Sequence, residues 1–166
     1  MTTLALRPDL VPQIEIGAPA VSSTMIHVRT KACLEFIDLT QRVRDHVRAS
    51  GIREGLLNLQ SLHTTTAILI NENEPLLLAD LRRFLERLAP RNGTYEHDDF
   101  SRRAGPLPPD EPVNGHSHLK AVALGASTTL NIFRGEPVLG RWQSVFLVEL
   151  DQARRRTVSL MAMGRT

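Results

Sequence analysis

A short apolar segment between two polar clusters constrains the fold of this chain most strongly. Residues 65–70 are β-branched and aliphatic, and a run of this length and composition is typical of a buried strand. His63 precedes the run, and Asn71 and Glu72 follow it. If this strand is central, side chains able to do chemistry flank it at opposite ends. Other parts of the chain must then complete a site around one of them.

Periodic patterns elsewhere predict a mixture of strands and helices. Alternating residues predict strands at 24–30 and 34–39, joined as a hairpin, and further strands at 55–62, 127–133, 138–139, 142–150 and 157–163. Apolar stripes at helical spacing predict helices at 41–49, 75–88 and 119–124. Gly51 and Gly125 are expected to end the first and last of these helices.

Length and proline distribution predict one domain preceded by an extension. A chain of 166 residues is long enough for one domain with its own core. Residues 1–23 contain Pro8, Pro12 and Pro19 without a clear period, so this part is predicted to be poorly ordered. Residues 24–166 are predicted to form the single folded domain.

Charge and cysteine content argue against several classes of protein. The net charge is only +2 and aromatic residues make up 4% of the chain, which is unlike a nucleic-acid-binding protein. No run approaches the roughly 18–20 apolar residues of a membrane span, and the N-terminus lacks the pattern of a signal peptide. A single cysteine, Cys33, fits a reducing compartment. We therefore expect a cytoplasmic protein that binds neither nucleic acid nor membranes.

Four of the six histidines occupy predicted loop positions near carboxylates or amides: His63, His97, His116 and His118. Imidazole nitrogens suit zinc and similar divalent ions, and catalytic sites commonly use three protein ligands. On a helix, His116 and His118 would diverge by about 200°. We therefore expect only one of them to join His63 and His97, with His118 preferred because it opens the predicted helix. The spacing alone fits unrelated surface histidines equally well.

Two further clusters carry candidate groups. Residues 94–114 form a proline-rich loop, and long loops in compact domains are usually functional or disordered. Within it, Asp98 and Asp99 are candidates for a turn cap, a cation ligand or a general acid or base. Arg141, which follows Gly140, is a candidate phosphate contact, although a surface arginine is the simpler interpretation and no phosphate-loop motif is present.

The order and spacing of five motifs resemble the YjbQ family, formerly an uncharacterised family called UPF0047. The motifs are SLHTTTA at 61–67, INENE at 70–74, YEHDD at 95–99, NGHSHL at 114–119 and LGRWQ at 139–143. The resemblance spans about residues 26–163. It implies an α+β fold, built as a bent antiparallel β-sandwich with a few flanking helices, and a homotrimer.

The resemblance also implies an activity and a set of site residues. Members are commonly labelled secondary thiamine-phosphate synthase, so it predicts a transferase that joins a pyrimidine methyl pyrophosphate to a thiazole phosphate with a divalent metal, zinc or magnesium. The alternatives are a metal-dependent hydrolase of a small phosphorylated or acyl metabolite and a non-catalytic trimeric binding protein. The predicted site comprises catalytic His63, Glu72, Asp98 and Asp99, substrate-binding Asn71, Asn114 and Arg141, and metal ligands His63, His97 and His118, with His116 as the alternative to His118.

Overall fold

A computed structural model describes residues 17–166 of the chain. Its strands are β1 (Pro19–Arg29), β2 (Glu35–Asp38), β3 (Glu54–Ser61), β4 (Thr66–Glu72), β5 (Ser127–Phe133), β6 (Glu136–Pro137), β7 (Gln143–Glu149) and β8 (Arg155–Arg165). Its helices are α1 (Thr40–Ser50), α2 (Pro75–Leu88) and α3 (Gly115–Leu124), with a short 3-10 turn at Glu96–Asp98. None of these helices is both long and apolar enough to cross a membrane.

The strands form two antiparallel sheets. The larger sheet has the order β1-β8-β3-β5-β6, and the smaller sheet has the order β2-β7-β4. The predicted α+β class, an antiparallel β-sandwich with flanking helices, is therefore confirmed.

The smaller sheet is buried on both faces. Ile68 and Leu147 face the core shared with the larger sheet and α1, whereas Ala67 and Phe146 face a second core beneath α2 and α3. A strand with a core on each side has no polar face, which explains why residues 65–70 read as an unbroken apolar run. The strand predicted from that run is β4, which lies at an edge of the smaller sheet, whereas β7 is the central strand.

The predicted hairpin between the first two strands is wrong. β1 pairs with β8 and β2 pairs with β7, so the two strands belong to different sheets. Leu34 adopts a left-handed conformation (φ 55°) where the chain crosses between them. Alternation of apolar residues defines the buried face of a strand but does not identify its partner, and the sequence prediction assumed that neighbours in sequence pair.

β1 also begins earlier than the predicted domain boundary at residue 24. Residues 19–23 pair with residues 161–165 of β8 in continuous antiparallel register. They therefore belong to the larger sheet and not to the predicted extension. Within the rest of that extension, residues 1–16 lie outside the described residues.

Helix boundaries follow local capping. The Asp38 carboxylate accepts the Thr40 backbone N–H at 2.7 Å, and Gly51 ends α1 in a left-handed conformation (φ 70°). At α2, the Glu74 carboxylate accepts the first free backbone N–H groups, while Pro75 occupies the first turn. α3 begins at Gly115, four residues before the predicted start at 119, so both His116 and His118 lie on the helix.

Candidate functional site

A polar pocket of about 420 Å³ lies where the ends of β3, β4 and β8 meet the start of α3. It is lined by Leu62, His63, Thr64, Thr65, His97, Arg103, Glu111, Pro112, Asn114, His118, Arg154 and Arg156. We call it the histidine pocket. One wall, formed by Arg103, Glu111 and Pro112, comes from the irregular segment between residues 99 and 114, and the rest comes from sheet ends and helix. Three of the four predicted histidines line this pocket.

His63 lies in the connection between β3 and β4 and is held by the start of β8. The Thr157 backbone N–H donates to His63 Nε2 at 2.8 Å. A backbone N–H can only donate, so Nε2 is unprotonated and the proton of the neutral ring lies on Nδ1. Burial lowers the pKa of His63 from 6.5, and the Arg156 guanidinium lowers it further. At neutral pH, His63 therefore carries an N–H donor at Nδ1.

His97 and His118 form a contacting pair. Their ring centroids are 4.7 Å apart, with the planes inclined at 64°. His97 lies in the 3-10 turn, and His118 lies in the first turn of α3. Burial, followed by the neighbouring His97 ring, lowers the pKa of His118 from 6.5. The His118 ring is therefore neutral at pH 7 and has one nitrogen able to accept a proton.

Asp98 holds this pair together by anchoring α3. Its Oδ1 accepts the backbone N–H groups of Asn114 and Gly115 at 3.0 and 2.8 Å, a favourable place for a carboxylate at a helix N-terminus. A Cβ on Gly115 would lie 2.6 Å from the Cβ of Tyr95, so this close approach requires glycine. Asp98 itself does not line the pocket.

Asp99 is occupied in its own turn. Its Oδ1 accepts the backbone N–H and the hydroxyl of Ser101 at 3.2 and 2.6 Å. It also does not line the pocket. The sequence left three roles open for Asp98 and Asp99: a turn cap, a cation ligand, and a general acid or base. The contacts of both aspartates are those of caps.

A buried ion pair supports the floor of the pocket. Arg156 donates through Nε and Nη2 to the two carboxylate oxygens of Glu149, at 2.6 and 2.5 Å. Arg156 Nη2 also donates to the Thr65 hydroxyl at 3.1 Å, and the Thr30 hydroxyl donates to Glu149. Glu149 is fully buried. A two-point pair of this kind fixes the guanidinium plane.

The sequence analysis missed this pair, although the sequence contains a signal for it. In β8, residues Val158, Leu160 and Ala162 are core residues, and Arg156 occupies the same alternating register. An arginine at an inward position of a strand needs a buried partner. Only the fold shows that the partner is Glu149 on β7.

Two buried polar atoms of the pocket lack partners among the described residues: Arg154 Nε and Asn114 Oδ1. Arg154 Nη2 pairs with Asp151 at 3.0 Å, and Asn114 Nδ2 donates to the same carboxylate oxygen at 3.3 Å. Each side chain is thus oriented by Asp151, with one further donor or acceptor unused. Both atoms are shielded from solvent, so Arg154 Nε and Asn114 Oδ1 lie behind the surface of the pocket and are not free contacts for a ligand.

Three predicted site residues lie elsewhere. Asn71 and Glu72 are at the far end of β4, roughly 20 Å along the strand from His63. Glu72 and Arg141 instead line a separate cavity of about 330 Å³ beside Trp142, which we call the distal cluster. The structure therefore does not bring Asn71, Glu72 or Arg141 to the histidines. Of the predicted substrate-binding residues, Asn114 alone lines the histidine pocket.

His116 also lies outside the histidine pocket. It is buried on the side of α3 opposite His118, and its Nδ1 is 3.2 Å from Lys120 Nζ. Burial and Lys120 lower the pKa of His116 from 6.5. The structure therefore places His118, and not His116, in the pocket with His63 and His97. Helical spacing predicts that only one of the two joins them, but the reason for preferring His118, that it opens the helix, is wrong, because α3 begins at Gly115.

The predicted set of metal ligands does not fit this arrangement. Within residues 17–166, no group of three or more His, Cys, Asp or Glu side chains is placed to hold a metal ion. His63 Nε2 already accepts the Thr157 N–H, and Nδ1 carries the proton of the neutral ring. His97 and His118 alone remain as neighbouring imidazoles. No chemical step is assigned to a metal on this geometry.

The fold and the pocket define a class: an α+β protein of two antiparallel sheets with a pocket of histidines and arginines at their shared edge. The chain belongs to the family described as UPF0047 protein YjbQ-like, whose profile matches residues 24–165. The family resemblance noted in the sequence is therefore confirmed.

Relatives and solved structures agree with this assignment. A UPF0047 protein of Methanothermobacter thermautotrophicus is 40% identical, covering 83% of this chain and 89% of the relative. UPF0047 protein YugU of Bacillus subtilis is 30% identical, covering 84% and 97%. The crystal structure of a YbjQ-like protein of unknown function from Sulfolobus solfataricus matches with a TM-score of 0.81 and 30% identity, covering 89% of this chain and all of that one.

The predicted thiamine-phosphate synthase activity is wrong. These relatives are described only as UPF0047 or YjbQ-like proteins, and the matching crystal structure is described as a protein of unknown function. The activity was inferred from a label attached to the resemblance and not from the residues. Its proposed helper Arg141 lies in the distal cluster, apart from the histidines.

Proposed function

We propose that this chain is an enzyme that binds a small anionic metabolite in the histidine pocket. His118 then accepts a proton from that metabolite as a general base. The observation that carries the proposal is the convergence of three histidines with Arg154 and Arg156 on one polar cavity. Titratable groups with shifted pKa values cluster at functional sites more often than elsewhere.

The electrostatics of the pocket favour an anion. Three arginines line the pocket, Arg103, Arg154 and Arg156, against one carboxylate, Glu111. Guanidinium groups at a concave surface attract a negatively charged group. The Arg154 guanidinium and His63 Nδ1–H supply N–H donors suited to carboxylate or phosphate oxygens.

The residues divide into binding and proton-transfer roles. Arg154 and His63 hold the anionic group, and Asn114 donates to Asp151, the carboxylate that also pairs with Arg154. His118 is neutral and takes the proton as general base, while the contacting His97 ring holds it in place. Protonated His118 is then stabilised by the bound anion, which offsets the nearby arginines.

Binding of inorganic phosphate tests this proposal. The variant R154K keeps the positive charge but replaces the planar guanidinium with a single ammonium group, so the affinity for phosphate should fall about tenfold, as expected for a lost hydrogen bond to a charged group. R141K makes the same change in the distal cluster and should leave the affinity within about twofold. Isothermal titration calorimetry of the full chain measures both. Equal affinity in R154K and the unaltered chain would contradict the proposal.

The divalent metal, zinc or magnesium, stays a prediction from the resemblance. Neutral imidazoles such as His118 are the form that binds zinc, whereas magnesium prefers oxygen ligands. Elemental analysis of freshly purified protein tests it. A stoichiometric metal that survives in a variant lacking both His97 and His118 would place the ion outside the histidine pocket.

We also propose that the chain forms the homotrimer implied by the resemblance. The outer face of the larger sheet carries a set of exposed apolar side chains: Val21, Met25, Leu56, Met161 and Met163. Cross-strand register aligns Val21, Met163 and Leu56 in one row. A contiguous apolar face of this kind is typical of an interaction surface. Light scattering should then give three times the chain mass of 18.5 kDa, and Met161→Lys should lower it.

A further inference from the structure

A second cavity adjoins the histidine pocket and differs from it in character. It has a volume of about 360 Å³ and is lined by His63, Thr64, Thr66, His118, Ala121, Val122, Gly125 and Ala126. We call it the apolar annex. His63, Thr64 and His118 line both cavities. The two cavities therefore meet at His118, the proposed general base, and at His63, which is proposed to hold the anion.

We infer that the substrate carries a short aliphatic or aromatic group next to its anionic group, and that this apolar group lies in the annex. The inference rests on the proposed function, because it assumes that the anion occupies the histidine pocket. A molecule that spans both cavities passes between His63 and His118. Its reacting atom then lies where the polar and apolar parts of the site join.

The walls of the annex support this assignment. The histidine pocket is lined by three arginines and one glutamate, whereas the residues specific to the annex are Thr66, Ala121, Val122, Gly125 and Ala126, none of them charged. Val122 is 85% exposed. Ligand sites commonly combine an apolar surface with a few well-placed polar groups that fix orientation. An anion alone would leave the apolar wall in water.

The backbone makes the annex a fixed feature of the fold. The Gly125 carbonyl accepts the Ile68 N–H at 3.1 Å, and the Ala126 carbonyl accepts the Ser61 N–H at 2.7 Å. The floor of the annex is thus attached to β4 and β3 through main-chain bonds that do not depend on side chains. The small side chains Ala121 and Ala126 leave the space open. A larger residue at Ala126 fills the cavity without removing a hydrogen bond.

A series of phosphate monoesters tests the inference. We titrate the full chain with inorganic phosphate, methyl phosphate, butyl phosphate and phenyl phosphate by calorimetry. The affinity should rise about twofold to fourfold for each methylene that enters the annex, as expected for burial of apolar surface. Phenyl phosphate should bind at least as tightly as the butyl ester.

Two substitutions of alanine by phenylalanine form a matched pair. A126F fills the annex and should abolish the gain from methyl to butyl while leaving the affinity for inorganic phosphate within twofold. A123F makes the same change at an exposed position of α3 that lines neither cavity, and should leave the whole series unaltered. V122S removes apolar surface without filling space, and should weaken butyl phosphate but not methyl phosphate.

The outcomes separate this inference from the proposed function. Phosphate binding that depends on Arg154, with no gain along the series, would overturn the annex and leave the proposed function intact. Absence of phosphate binding would overturn both. If A126F or V122S instead changes the mass measured by light scattering, and A123F does not, the annex is a contact with a second copy of the chain and the inference is wrong.

Discussion

The two ends of β4 look alike in sequence but differ in the fold. One end follows His63 and leads into the histidine pocket, whereas the other carries Asn71 and Glu72 and borders the distal cluster. Both ends join polar, chemically capable residues to the same apolar strand. Only the first is backed by a fully buried ion pair, Arg156 with Glu149. Neither Glu72 nor Arg141 forms a side-chain ion pair among the described contacts.

The difference shows what makes a polar cluster a candidate site. At the histidine pocket, burial and arginines lower the pKa of His63 and His118, and hydrogen bonds fix the orientation of His63 and Asn114. Catalysis requires side chains that are already held in the correct orientation, and this requires further residues packed behind those that line the site. The distal cluster lacks a comparable buried layer. Its residues are therefore expected to tolerate substitution.

The largest contrast between the two ends should be in stability. Arg156→Met removes the partner of the buried Glu149 carboxylate and should lower the free energy of unfolding by about 3–5 kcal/mol. Arg141→Met, the same change at the distal cluster, should cost less than about 0.5 kcal/mol. Urea denaturation measures both. Replacing Glu149 and Arg156 together with methionines should recover much of the loss, because no buried charge is then left alone.

Ligand affinity should show the next largest contrast. His63→Ala removes the Nδ1–H donor, so phosphate should bind about tenfold more weakly. Glu72→Gln removes a carboxylate at the distal cluster and should change the affinity by less than twofold. Calorimetry at pH 7.5 gives both constants. A comparable loss in both variants would erase the functional distinction between the two ends of β4.

The smallest contrast should be in the pH dependence of stability. The pKa values of His63, His116 and His118 are lowered from 6.5 in the folded chain. The contribution of these neutral histidines to the free energy of unfolding is therefore complete above pH 6.5, and it is lost as the pH falls through their pKa values in the folded chain. The free energy of unfolding should therefore decrease on acidification from pH 7.5 to 5.5. Denaturation across this range should give a shallower slope for His118→Phe and an unchanged slope for Glu72→Gln.

Signals from residues close together in sequence predicted the helices and strands better than they predicted which strands pair. Asp38, Gly51, Glu74 and Pro75 define the ends of α1 and α2 through contacts within a few residues, and these signals are present in the sequence. The crossing of the chain from β1 into the other sheet is not local. It depends on which strand covers which core, so the predicted hairpin failed.

The sequence predicted which histidines take part in the candidate site, but it did not predict the roles of the charged residues. Helical spacing separated His116 from His118 once both lay on α3. The arginines were visible only as a cluster of cations, because their roles depend on Glu149 and Asp151 in distant positions. Glu72 was assigned to the site through the family resemblance, although it lies at the opposite end of the strand from His63. Distance along that strand separates the two.

The walls of the histidine pocket come partly from sheet ends and partly from an irregular segment. His63, Arg154 and Arg156 are attached to sheet ends, whereas Arg103, Glu111 and Pro112 come from a segment that pairs with no strand among the described residues. Insertions and replacements in such a segment cost little folding free energy. Descendants of this chain can therefore acquire preferences for different compounds by altering this one wall, while the proton-handling rings opposite it are inherited unchanged.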